Sequence, residues 1–196
     1  MKKTLVIYWS GTGNTEAMAN AVVDGMKEAG ADVTCWTVDD VKADAVAEFD
    51  AVAMGCPAMG AEVLEETEFD PMYQSVKSSL SGKPVGLFGS YGWGDGEWMR
   101  DWENDVKVAG ADLVREGVIC CEAPDDEAIE ACKALGTQLA EYTQNRRFHP
   151  EAAAFDFARS SATPCRGRCP HRLCWRPLVT SPKASPLGKL ARRSRD

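Results

Sequence analysis

Trp9-Ser10-Gly11-Thr12-Gly13-Asn14-Thr15 is the stretch whose reading decides the fold. An apolar run, Thr4 to Tyr8, leads into it. A helical pattern leads out, with Met18, Val22 and Met26 spaced by four and Ala19 and Val23 beside them. A strand, a glycine-hydroxyl loop and an amphipathic helix place the loop at a helix N-terminus. Unpaired N–H groups and the positive end of the helix dipole make such a place attractive to anions. Ser10, Thr12, Asn14 and Thr15 add four polar side chains, and the two glycines let the chain turn tightly, so the loop reads as a phosphate seat. The plainer reading of the same residues is a set of turns and caps. A dinucleotide loop would carry a third glycine where Glu16 stands, and a P-loop would end in Gly-Lys-Ser/Thr, whereas no lysine lies between Lys3 and Lys27. Neutral donors without a cation suit a terminal monophosphate better than a pyrophosphate.

Working outward, Gly30 reads as the stop of the first helix and Val33–Val38 as a second strand. Asp44 to Glu48 fits a short helix. Ala51 to Cys56, ended by Pro57, fits a buried parallel strand. Pro71 to Leu80 suggests a helix and Pro84 to Gly89 a fourth strand. Trp98, Trp102 and Val106 mark the next helix. The fifth strand is expected within Leu113–Cys121, with Gly117 as a kink or bulge. Asp125 can cap a last helix showing Ile129, Cys132, Leu135 and Leu139 on one face. Five alternations of strand and helix imply an α/β fold, a parallel sheet covered on both faces. Ligands of such sheets bind beyond the C-terminal strand ends, where strand order reverses.

Three loops fall at those ends: Trp9–Thr15, Pro57–Glu66 and Gly89–Glu97. The last sets Trp93 among four glycines, a platform for a flat ligand, although Trp93 could instead fold back on the helix as a staple. Met59 offers a polarizable surface for the opposite face of the same ring. No lysine or arginine occurs in the three loops, while Glu62, Glu65, Glu66, Asp95 and Glu97 crowd them.

Charge divides the 196-residue chain. Residues 1–145 hold 10 Lys and Arg against 27 Asp and Glu, a balance of −17, and residues 146–196 hold 12 against 3, a balance of +9. The acidic part is large enough for its own core. Its five cysteines, Cys35, Cys56, Cys120, Cys121 and Cys132, match no zinc spacing and read as buried reduced thiols. Both histidines, His149 and His171, lie in the basic part, which leaves the acidic part without an imidazole base or a His-ligated metal. No run approaches the ~18 apolar residues of a membrane span, and the N-terminus lacks a signal-peptide core, so a cytoplasmic protein without membrane attachment is expected.

Tyr8-Trp-Ser-Gly-Thr-Gly-Asn-Thr15, Gly55-Cys-Pro-Ala-Met-Gly60 with Glu62, and Gly89-Ser-Tyr-Gly-Trp-Gly-Asp-Gly96 together resemble the three flavin-binding loops of short-chain flavodoxins, over residues 1 to about 142. The resemblance implies a doubly wound five-stranded parallel sheet in the order 2-1-3-4-5, with FMN at the switch point between the first and third strands. It assigns the FMN phosphate to Ser10, Gly11, Thr12, Gly13, Asn14 and Thr15. Trp93 would cover one ring face and Met59 the other. Glu62 would accept a hydrogen bond from flavin N3–H. Ala58, Tyr91 and Gly92 would meet the polar ring edge and the ribityl chain, with Pro57, Gly60, Ala61, Ser90 and Gly94 completing the contact loops. A type II′ turn from Met59 to Glu62, with positive φ at Gly60, would let the 60–61 peptide turn over on reduction. Ala61 stands where the family often has a polar residue.

The implied function is that of a low-potential one-electron carrier working between the semiquinone and hydroquinone of bound FMN, in place of ferredoxin and not as an enzyme. The acidic loops disfavour added negative charge and favour redox partners with basic docking surfaces over nucleic acid. A monomer is expected. An NAD(P)H-dependent flavin or quinone reductase of the same fold is the alternative, and it would need room beside the flavin for a second flat substrate. Residues 1–144 form the domain in this reading. Residues 145–196 read as an Arg- and Pro-rich tail, disordered, partner-binding or non-native, or as a zinc knuckle of Cys165, Cys169, His171 and Cys174.

Overall fold

The computed structural model describes residues 2–145. The expectations for the tail, its zinc knuckle included, lie outside the described residues. Strand β1 (Lys3–Tyr8) is followed by α1 (Asn14–Glu28), β2 (Asp32–Thr37), the short helix α2 (Ala43–Val46), β3 (Ala51–Gly55), α3 (Phe69–Val76), β4 (Pro84–Tyr91), α4 (Glu97–Val108), β5 (Asp112–Leu113), β6 (Val118–Cys121) and α5 (Asp126–Asn145). All strand pairs are parallel, in the order β2-β1-β3-β4-β5, with β6 also on β4.

Alternation along the strands divides the core into two layers, since successive side chains face opposite sides of a sheet. Leu5, Ile7, Val52, Met54 and Leu87 pack on one side with Phe69, Tyr73, Trp98 and Trp102 of α3 and α4. Val6, Ala53 and Phe88 pack on the other with Met18, Val22 and Met26 of α1 and Cys132, Leu135 and Leu139 of α5. The helical stripes expected from spacing therefore bury as expected; Ile129 is the exception, only partly covered. Asp125 Oδ1 accepts from the Ala128 N–H at 2.8 Å and caps α5. Gly30, at φ 81, ends α1.

The fifth strand is not continuous. Its two halves, β5 and β6, lie in line along β4, separated by residues 114–117. A Cβ on Gly117 would stand 2.4 Å from Met99 Sδ, and its N–H is held by Glu103 Oε1 at 2.7 Å. The helix α4 presses on the chain there and the ladder breaks, which is the kink that Gly117 signalled. The thiols need a correction. Cys56 and Cys132 are buried, but Cys35 and Cys121 are exposed, because β2 and β6 are only partly covered. Burial pushes Cys56 and Cys132 up to about 12 and Cys120 up to about 11, so all three stay protonated and unreactive near neutral pH.

Candidate functional site

The site is built where β1, β3 and β4 end together. Tyr8 pairs with Gly55, and Gly55 with Phe88. Beyond the strands the backbone stays zipped: Trp9 N–H donates to Gly55 O at 3.0 Å, Cys56 N–H to Phe88 O at 3.1 Å, and Ala58 N–H to Ser90 O at 2.9 Å. A cleft of about 340 Å³ opens above this junction. Gly11, Thr12, Asn14, Pro57, Ala58, Met59, Ser90, Tyr91 and Gly92 line it, together with Trp9 and Glu122.

The Trp9–Thr15 loop, expected to seat a phosphate, leads into α1. Gly13, at φ 90, is the N-cap, and no side chain caps the helix. The Ala17 N–H is the first to be satisfied, by Gly13 O at 3.0 Å. A fifteen-residue helix that opens on a cleft without a cap leaves first-turn N–H groups for an anion. Ser10 Oγ accepts from Gly13 N–H at 3.0 Å and so shapes the loop. Its side chain lies in an adjoining cleft with Trp9, Glu16 and Glu68. Thr15 is buried, with its hydroxyl 3.4 Å from that of Ser90.

The middle loop turns differently from the sequence expectation. Met59 and Val63 exchange backbone hydrogen bonds of 2.8 and 3.0 Å, so the turn closes one residue beyond Glu62. Three residues sit at its tip. Gly60 has φ 49, as required of the glycine, but Glu62 is also left-handed, at φ 52. The Glu62 carboxylate explains why that position is held. Its Oε1 accepts from Gly96 N–H at 2.9 Å and Glu97 N–H at 3.1 Å, capping α4 from the neighbouring loop. Gly60, Ala61 and Glu62 do not line the main cleft, and neither do Ser10, Gly13, Thr15, Trp93 or Gly94. Trp93 is 64% exposed, which excludes the staple, and Met59 is 39% exposed. Two large apolar side chains thus stand in solvent on the middle and last loops.

Two more of the acidic residues do other work. Glu65 is only 5% exposed. Burial raises its pKa, but the Thr67 hydroxyl and the N–H groups of Phe69, Thr67 and Glu68 outweigh this and hold it at about 2. It is the ionised cap of α3. Asp95 is paired with Arg100, whose Nη2 lies 2.7 Å away; one turn into α4, this cation escapes a count restricted to loops. Glu62, with its Oε1 on α4, and Glu66 and Glu97 complete the expected acidic set; Arg100 also acts on Glu62 and Glu97, and Glu122 is the acidic residue that lines the cleft itself. Trp9 and Glu122 are the cleft residues that the sequence reading missed. Glu122 follows β6, and the rule that loops after parallel strands gather at the site could have found it.

Comparisons with known proteins show the family. The family model "Flavodoxin" matches residues 6–136. The flavodoxin of Clostridium beijerinckii is 47% identical over 135 residues, 69% of this chain and 97% of that protein. The flavodoxin of Megasphaera elsdenii is 46% identical over 135 residues, 69% and 96% of the two chains. The solution structure of two-electron reduced Megasphaera elsdenii flavodoxin superimposes with a TM-score of 0.66 at 47% identity, covering 70% of this chain and 98% of that one. On its fold, its three loops and these matches, the chain belongs to the flavodoxin family of FMN-based electron carriers.

Proposed function

We propose that the cleft above β1, β3 and β4 seats FMN with its phosphate at the uncapped start of α1 and its ring between Met59 and Trp93. One observation carries this reading: the uncapped start of α1 and the exposed Met59 and Trp93 all belong to the loops that follow β1, β3 and β4. The residues fit the group. Ser10 to Thr15 would hold the phosphate through backbone N–H groups and the Thr12 and Asn14 side chains. Glu62 keeps Oε2 for the ring N3–H while Oε1 caps α4. The loop backbone at Ala58, Tyr91 and Gly92 would meet the polar edge and the ribityl chain, with Pro57, Gly60, Ala61, Ser90 and Gly94 shaping the two loops.

FMN, when bound, supplies the one-electron chemistry; the chain sets its direction. Glu122 lines the cleft and Glu62, Glu66 and Glu97 lie on the loops beside it, outnumbering the nearby cation Arg100, so negative charge arriving there is disfavoured. A reduced ligand in this cleft is then a strong reductant. The same field steers the domain to partners with basic docking surfaces and away from nucleic acid. Among the described residues no helix is long and apolar enough to cross a membrane. The reading is of a cytoplasmic monomer whose functional domain is residues 1–144.

The test is a ligand comparison. Trp93→Ala is expected to weaken FMN and riboflavin alike, stacking being worth roughly 1–3 kcal/mol per ring. Ser10→Ala is expected to weaken FMN and inorganic phosphate and to leave riboflavin nearly unchanged. Equal loss of riboflavin in both variants would contradict the division of the site into a phosphate loop and ring loops.

A further inference from the structure

Trp9 walls the main cleft on one side and the adjoining cleft of Ser10, Glu16 and Glu68 on the other. Its indole is fixed at two points. Nε1–H donates to Glu68 Oε2 at 2.6 Å. The six-membered ring lies over Gly11 so closely that a Cβ there would stand 2.9 Å from Trp9 Cη2. Gly11 belongs to the phosphate loop. Glu68 belongs to the segment that follows the ring-side loop, and its own N–H is anchored on Glu65 Oε2 at 2.8 Å. The Trp9–Glu68 bond therefore ties the two half-sites together across 59 positions of sequence.

We propose that Trp9 and Glu68 form a strut that sets the spacing between the phosphate loop and the ring-side loop. The strut favours a ligand that occupies both, a flavin with a terminal phosphate, over one that occupies either alone. The inference rests on the assignment of FMN to the cleft. Its physical basis is effective concentration: once one end of a two-point ligand is bound, the second end gains from a partner held at the matching distance. A one-point ligand gains nothing from that spacing. Trp9 and Glu68 are positioning residues, acting through Gly11 and through the backbone beyond Glu65.

The experiment titrates FMN, riboflavin and inorganic phosphate into the apo form of the full chain and of four variants. Trp9→Phe keeps a ring over Gly11 and removes the donor, Glu68→Ala removes the acceptor, Glu68→Gln keeps an acceptor without charge, and the fourth combines Trp9→Phe with Glu68→Ala. For one lost solvent-exposed hydrogen bond, Trp9→Phe and Glu68→Ala are each expected to weaken FMN about five- to tenfold. Riboflavin and phosphate should each shift by less than about twofold, because neither spans both loops. The double variant should be no worse than either single one, and Glu68→Gln should bind FMN as the parent does. Additive losses, unchanged FMN affinity, or riboflavin falling in step with FMN would each overturn the strut. A parent chain that binds riboflavin as tightly as FMN would instead overturn the assignment beneath it.

Discussion

Replacing Glu62 separates two duties that one carboxylate performs. Oε1 receives the Gly96 and Glu97 N–H groups at 2.9 and 3.1 Å, at the start of α4, where the N-cap glycine has no side chain to offer. Removing that acceptor costs roughly 1.5–3 kcal/mol by the measure of hydrogen bonds to charged groups and about 0.5–2 kcal/mol by the measure of N-caps. A loss near ~2 kcal/mol is expected for Glu62→Ala in the apo-protein. With a urea slope of about 2 kcal/mol/M, the unfolding midpoint should fall by ~1 M. Glu62→Gln keeps an oxygen for the two N–H groups and forfeits only the charge–dipole part, about 0.3–1 kcal/mol. Its midpoint should fall by less than half as much. FMN binding reverses the ranking of the glutamine variant. An amide that gives its oxygen to α4 presents N–H donors to the ring N3–H, donor against donor, so Glu62→Gln should lose about tenfold in affinity or more, ~1.4 kcal/mol. Urea unfolding of the apo-proteins and fluorescence titration with FMN read the two duties independently. The reasoning fails if Glu62→Ala leaves the urea midpoint unchanged, or if Glu62→Gln is as unstable as Glu62→Ala.

Glu65 links folding to pH. Its folded pKa, about 2, lies below the ordinary 4.5, so its contribution is complete above that ordinary value and is lost as pH falls from 4.5 towards 2. Glu65→Gln should therefore lose less stability than the parent between about pH 5 and 2.5, and parallel curves from thermal melts across that range would count against the assignment. Gly60→Thr tests whether the 60–61 peptide turns over on reduction. A Cβ at Gly60 meets nothing within 4 Å, so its cost lies in the left-handed backbone alone, ~1–2 kcal/mol. Gly60 is left-handed already in this structure, so the potential reads whether reduction adds to that cost: if the reduced form alone bears it, the first one-electron potential falls by about 40–90 mV, at 59 mV per tenfold. An unchanged potential alongside weaker FMN binding would show that both forms carry the strain.

Much of this fold was legible in period and punctuation. Apolar runs ended by Pro57 or a glycine loop became strands, and four-residue spacings in Met18–Met26 and Trp98–Val106 became buried helical faces. The three loops were legible because parallel strands bring their C-terminal ends together whatever the helices do. Side-chain partnerships across loops were not. Nothing local to Glu62 tells that its carboxylate caps a helix 35 positions away, or that the turn it ends closes at Val63. Glu65 and Asp95 look like a free acidic rim when only the loops are counted, because their partners, the N–H groups of the α3 start and Arg100, lie three to five positions on, at the start of the helix that follows each. Trp9 read only as the first residue of the glycine-hydroxyl loop, since its link to Glu68 spans the site.

Stepwise reduction of the FMN-loaded chain, followed by visible spectroscopy, tests the central claim most directly. The account predicts two separated one-electron steps, with a long-wavelength band rising in the first and vanishing in the second, and the second step at the lower potential because the acidic rim opposes added charge. A single two-electron step, coupled to steady-state oxidation of NADH or NADPH by the purified protein, would contradict it.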